Sequence, residues 1–146
     1  DGGPAFADEL AGGDTGLRAR IVAPGWLPAR DLSLHLQAAD VAVQPYPDGA
    51  SARRTTLMAL LSHGVATVTS NGRFTEDAWA GSGVPLVSAD DPAAAAAEAL
   101  RLLGDAGRRA RVAAAGAPLY AAEFAMQRTV DALLDATPPA PLTGAK

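Results

Sequence analysis

The chain has 146 residues and no cysteine, and its 16 acidic residues outnumber its 12 basic ones. That length suits one domain with a packed core, and a net charge of −4 offers no broad positive field to a nucleic-acid backbone. With two histidines, His35 and His63, and no thiolate, we expect no metal site. A helix that spans a membrane needs about 18 consecutive apolar residues, and no apolar run in this chain is that long. We therefore expect a cytoplasmic protein without membrane association.

The first half of the chain alternates between helical and extended segments after a turn at Asp1-Gly2-Gly3-Pro4. In chain order the predicted elements are a helix over 5–11, a strand over 20–23, a helix that begins at Ala29 or Asp31 and runs to Ala39, a strand over 40–44 and a helix over 52–62. Pro45 and Pro47 stop the second of these strands. Gly64 stands where a glycine commonly ends a helix.

The second half continues the alternation and then becomes helical. Its predicted elements are strands over 66–69 and 85–88, a short helix over 75–79, and helices over 92–103, 106–115 and 126–136. Thr75 is the expected cap of the short helix. Asp90 or Asp91 is expected to cap the helix that has Pro92 in its first turn. The proline-rich tail over 137–146 is predicted to be disordered.

Short apolar strands that alternate with helices predict an α/β fold, here a doubly wound, Rossmann-like parallel sheet with helices on both faces. Ligands of such sheets bind beyond the carboxyl ends of the strands. The loops expected at that edge are 24–29, 45–51 and 70–75.

The segment Asp48-Gly-Ala-Ser-Ala-Arg-Arg-Thr-Thr56 lies between a predicted strand and a predicted helix. Free amides and the positive end of the helix dipole favour an anion at such a junction. The small residues Gly49, Ala50, Ser51 and Ala52 allow close approach to the backbone, while Ser51, Thr55 and Thr56 can donate hydroxyls. Arg53 and Arg54 are suited to clamp phosphate oxygens. A solvated loop before an ordinary helix is the alternative interpretation.

Four phrases, in order over residues 1–76, resemble the C-terminal lobe of retaining glycosyltransferases of the GT-B fold, which use nucleotide diphosphate sugars. They are the glycine turn at 1–4; Arg20-Ile-Val with Gly25-Trp-Leu-Pro28; Ala38-Ala-Asp-Val-Ala-Val-Gln-Pro45; and Met58-Ala-Leu-Leu-Ser-His-Gly-Val-Ala-Thr-Val-Thr-Ser70. The resemblance implies a nucleotide-sugar-binding lobe over 1–136. It also implies that a strand, a helix and a strand would precede Asp1, so we expect this chain to be part of a longer protein.

The resemblance assigns roles to individual positions. The loop before Ala52 would embrace the donor diphosphate, and Leu27 would lie at the nucleobase through its backbone. Arg73 and Glu76 resemble the family's "GGxxE" stretch and would approach the sugar or the acceptor, although a local ion pair explains them equally well. The family's two donor-binding glutamates fall on Ser51 and Ala59, so both carboxylates are absent here.

The function expected on these grounds is sugar transfer from a nucleotide diphosphate sugar to an unidentified acceptor. Arg53, Arg54 and the helix end at 51–56 would stabilise the departing diphosphate, with no metal and no cofactor beyond the substrate. The expected partner is an N-terminal lobe of the same or another chain. The alternatives are a nucleotide-sugar epimerase of the same fold, which needs acid and base carboxylates, and a degenerate binding module.

Overall fold

The computed structural model describes residues 3–135, which fall into two units, the first ending at His35 and the second beginning at Leu36. The first unit contains α1, Gly3–Ala11, and α2, Thr15–Arg18, and α3, Ala29–Ala38, crosses the boundary. The second unit contains β1, Ala42–Gln44; α4, Thr55–Ser62; β2, Thr67–Asn71; a 3₁₀ turn, Asp77–Trp79; β3, Leu86–Ser88; α5, Pro92–Gly104; α6, Ala106–Leu119; a π-helical turn, Tyr120–Phe124; and α7, Met126–Asp135. The predicted tail over 137–146 lies outside the described residues.

The first unit is helical, and the strand predicted over 20–23 is wrong. The Ile21 amide donates to the Arg18 carbonyl, and the Arg18 guanidinium donates to the Ile21 carbonyl at 3.3 Å. These bonds turn the segment back on α2, and no strand among residues 3–135 pairs with it. The predicted turn at 1–4 also gives way to helix from Gly3 onward, because proline is tolerated in a first helical turn.

The second unit is built on a parallel sheet of three strands in the order β1-β2-β3. Val43 pairs with Val68, and Thr69 pairs with Leu86. The three strands predicted at 40–44, 66–69 and 85–88 are therefore confirmed, with ends that differ by one or two residues. The α/β class with a parallel sheet is confirmed as well.

Two apolar clusters pack against this small sheet. One contains the α4 residues Leu57 and Leu61, and the other contains the α5 residues Ala95 and Leu102. The neighbouring β3 residues Leu86 and Val87 pack against different clusters. Because successive strand side chains point to opposite faces, helices cover the sheet from both sides.

Two of the helix-capping residues predicted from the sequence are confirmed, and a third is not. Gly64, which follows the C-cap residue His63 of α4, has φ +65, and Asp91 caps α5 by accepting from the Ala94 amide at 2.8 Å. Thr75 is not a helix cap, because its hydroxyl accepts from the Gly72 amide at 3.0 Å. Within residues 3–135, no helix combines the length and the apolar character that crossing a bilayer requires.

Candidate functional site

The loop between β1 and α4 packs directly on the loop that follows β2. Gly49 has φ +91, and a Cβ at this position would overlap the Thr75 hydroxyl and the Gly72 amide nitrogen. The Phe74 amide donates to the Asp48 carbonyl at 2.9 Å, and the Ala50 amide donates to the Ser70 carbonyl at 2.7 Å. Gly49 is thus required for contact between two loops of the chain, whereas the sequence had suggested close approach to a ligand.

Most amides of the loop already have acceptors inside the protein. The Gly49 amide donates to the Tyr46 carbonyl at 2.9 Å, and the Ala52 amide donates to Glu76 Oε1 at 2.9 Å. The prediction that these amides are free is therefore wrong for Gly49, Ala50 and Ala52. Ala50 and Ser51 are also buried, so neither side chain is presented at the surface.

The predicted helix over 52–62 begins three residues late, at Thr55. The Arg54 amide donates to the Ser51 carbonyl at 3.0 Å, and this turn takes the chain into α4. No side chain caps the amino end of this helix. Among residues 3–135, no group accepts from the amides of Thr55 and Thr56, and both residues are exposed. The first turn of α4 therefore keeps unused donors at its positive end.

Three arginines surround this helix end. The Arg54 guanidinium lies 4.6 Å from the Tyr46 ring and donates to Asp48 at 3.3 Å, while its buried Nε has no acceptor. Arg73 lies 3.5 Å from the other oxygen of Asp48. Arg53 makes no ion pair within the described residues. Of these three arginines, Arg53 consequently has the most hydrogen-bond donors available to an external anion.

The aromatic rings beside these arginines are partly open to solvent. The Phe74 ring lies 4.5 Å from the Arg73 guanidinium carbon and 6.0 Å from that of Arg53. Burial raises the pKa of the Tyr46 hydroxyl, and the charge of Arg54 offsets part of that rise. Tyr46 therefore stays neutral at physiological pH and serves as a face for Arg54.

Glu76 is used inside the protein. Its Oε1 accepts from the Ala52 amide, and its Oε2 accepts from Trp79 Nε1, both at 2.9 Å. Arg73 and Glu76 both belong to the loop that follows β2, and this loop contacts Asp48. The alternative explanation of Arg73 was a local ion pair. Arg73 does form one, and its partner is Asp48. A sugar contact by Arg73 or Glu76 stays a prediction.

A cavity of about 370 Å³ lies between α4 and the segment over 120–126, and we call it the α4 cavity. Its wall includes Ala52, Thr55, Met58, Ala59, Tyr120 and Phe124. Sequence reasoning missed the two aromatic residues, since nothing in the local pattern near 120 indicates a return to α4. Ala59 lies in this wall, at the position where the resembling family has a glutamate.

Leu27 lies in the first unit, between α2 and α3, and is half-buried there. Its expected role at a nucleobase stays a prediction. Among residues 3–135, no group of three or more acidic or histidine side chains is arranged to hold a metal ion.

Comparisons of the chain with protein-family models, with curated proteins and with solved structures find no match.

Proposed function

We propose that the chain binds the diphosphate of a nucleotide diphosphate sugar at the amino end of α4 and acts in sugar transfer. The observation that carries the proposal is that the amides of Thr55 and Thr56 have no acceptor among residues 3–135, and that Thr55 also lines the α4 cavity. Helix amino ends of this kind favour phosphate through both hydrogen bonds and dipole.

The side chains around this helix end support the same assignment. Arg53 and Arg54 precede the first turn, and Arg53 has no competing carboxylate within the described residues. The hydroxyls of Thr55 and Thr56 are exposed beside them. During transfer, these groups would stabilise the charge that develops on the departing diphosphate.

The α4 cavity would take the nucleoside. Ala59 contributes a small side chain to its wall, and Tyr120 and Phe124 contribute aromatic surface against which a base can pack. About 370 Å³ is within the range of small-molecule sites. In this proposal Ala59 stands where the resembling family has the glutamate that binds the ribose. The ribose would therefore make only apolar contacts there, so we predict modest affinity for the nucleoside.

The proposal extends the three-stranded sheet to the doubly wound, GT-B type lobe that the sequence resembles. It includes a second lobe as partner and a cytoplasmic place of action. An epimerase would need free carboxylates near α4, yet Asp48 and Glu76 are both engaged by groups of the protein. A binding module without catalysis is the second candidate. It is favoured because Ser51 and Ala59 stand at the positions of the family's two glutamates, and Ser51 is buried.

Calorimetric titration tests the phosphate contact. The chain is titrated with UDP, GDP and ADP and with the matching nucleosides, and then as the Arg53→Ala/Arg54→Ala double variant. We expect the best diphosphate to lose at least tenfold in affinity, about 1.4 kcal/mol, while its nucleoside is little affected. Arg128→Ala, an exposed arginine on α7, is the control. Equal losses for diphosphate and nucleoside would contradict a phosphate clamp, and hydrolysis of the matching sugar nucleotide separates enzyme from binding module.

A further inference from the structure

A larger cavity, of about 740 Å³, lies along β3, and we call it the β3 cavity. It shares no lining residue with the α4 cavity. One wall runs along β3 and the residues before it, Val84, Pro85, Leu86 and Val87, all of which are apolar residue types. The other wall comes from α5 and α6 and carries charge. The β3 cavity therefore joins apolar and ionic surface in one space.

A buried carboxylate organises the charged wall. The Glu98 side chain is 8% exposed and accepts from Arg108 Nη2 at 2.6 Å and from Arg101 Nη1 at 3.0 Å. Burial raises the pKa of this carboxyl, but the hydrogen bonds from Arg108 and then Arg101 outweigh that effect and leave the pKa below its usual value. Glu98 is consequently ionised at neutral pH and holds both guanidinium groups at the cavity wall.

A third arginine in the wall has no such partner. Arg111 makes no hydrogen bond or ion pair among residues 3–135. Its charge acts on Asp105, whose carboxylate is occupied in capping α6 through the Arg108 amide at 2.8 Å. The cavity lining has three arginines and one glutamate, and with Asp105 beside Arg108 and Arg111 one positive charge is left in excess, in a chain of net charge −4.

We propose that the β3 cavity binds a small organic acid, with its oxyanion at Arg111 and its compact apolar body against Val84–Val87. Guanidinium groups pair with carboxylate or phosphate oxygens through paired hydrogen bonds, and Arg101 and Arg108 keep donors that Glu98 does not use. The volume falls within the range of small-molecule sites. An isolated phosphate ion would leave the apolar wall uncovered.

Trp79 provides a reporter for this site, because it lines the β3 cavity and is 1% exposed. The second tryptophan, Trp26, is 87% exposed in the first unit and is removed by Trp26→Phe. In that background the probes are cyclohexanecarboxylate and cyclohexyl phosphate, with neutral cyclohexylmethanol and with acetate as controls. We expect a saturable change in Trp79 fluorescence with one or both cyclohexyl anions, and the stronger binder tells carboxylate from phosphate ester. Acetate and cyclohexylmethanol should bind at least tenfold more weakly.

Two variants separate charge from volume. Arg111→Ala removes the unpaired guanidinium, and Ala94→Leu fills part of the cavity without changing charge; each should weaken the better anion at least tenfold. The matched controls are Arg128→Ala and Ala96→Leu, exposed positions outside the cavity, which should leave binding unchanged. Circular dichroism checks that every variant is folded.

Several results would overturn the assignment. One is binding of cyclohexylmethanol as strong as that of the anions, and another is an equal effect of Arg111→Ala and Arg128→Ala. The absence of a saturable response to either cyclohexyl anion up to its solubility limit would also refute it. So would binding of a glutamate-rich peptide in place of both small anions.

Discussion

At the scale of the single residue, Gly49 shows how closely the two loops at the carboxyl edge of the sheet approach each other. Gly49→Ala should lower the free energy of unfolding by roughly 2–4 kcal/mol, because it combines a left-handed φ of +91 with overlap against Gly72. Urea unfolding measures this loss as a lower midpoint with an unchanged slope.

Gly81 is the matched control for this change. It has φ +70, and no atom lies within 4 Å of a Cβ built there. Gly81→Ala should therefore show backbone strain alone, roughly 1 kcal/mol. If both variants lose the same stability, the close approach of Gly49 to Gly72 contributes nothing, and the loop account is wrong.

At the scale of the element, Glu98 ties α5 to α6 through Arg108. Glu98→Gln should cost about 1–2 kcal/mol at pH 7, because both exposed arginines lose a charged acceptor. The folded pKa of Glu98 lies below its unfolded value, so this stabilisation is complete above about pH 4.3 and is lost as pH falls through the folded pKa.

The stability difference between wild type and Glu98→Gln should therefore shrink as unfolding is measured from pH 7 down to strongly acidic conditions. Glu123→Gln, an exposed carboxylate in the π-helical turn, is the control and should show no such pH-dependent difference. A difference between wild type and Glu98→Gln that stays constant into acid would show that Glu98 acts by shape and not by charge.

The helices and strands differ in how far sequence alone could predict them. Gly64 and Asp91 act through local geometry, so their roles at helix ends are readable from neighbouring residues. The segment 20–23 has strand composition, but a strand needs a paired neighbour, and no local pattern reveals whether one exists. Thr75 failed as a helix cap for a related reason, since its hydroxyl is taken by a turn that closes on Gly72.

The candidate site was only partly predictable for a physical reason. Arg53, Thr55 and Thr56 are exposed at the start of α4, as the strand-loop-helix pattern indicates. The bond from Ala52 to Glu76 joins residues 24 positions apart, and the aromatic wall of the α4 cavity comes from residues near 120. Both depend on how distant segments pack, which periodicity and turn chemistry do not encode.

At the scale of the whole molecule, six of the 12 basic residues lie in two places of a chain that is acidic overall. One is the amino end of α4, with Arg53, Arg54 and Arg73, and the other is the β3 cavity. The two proposals assign a different ligand to each place: a nucleoside diphosphate to the first and a small organic acid to the second. They can therefore fail independently.

The most direct test of the central claim is amide NMR of the ¹⁵N-labelled chain during titration with the tightest-binding nucleoside diphosphate. We predict that the amide signals of Thr55 and Thr56 shift most, because these donors have no acceptor within the described residues. The Ala50 amide, which is bonded to the Ser70 carbonyl, should shift little. Saturation with unmoved Thr55 and Thr56 signals, or with the main shifts at the β3 cavity, would contradict a phosphate site at α4.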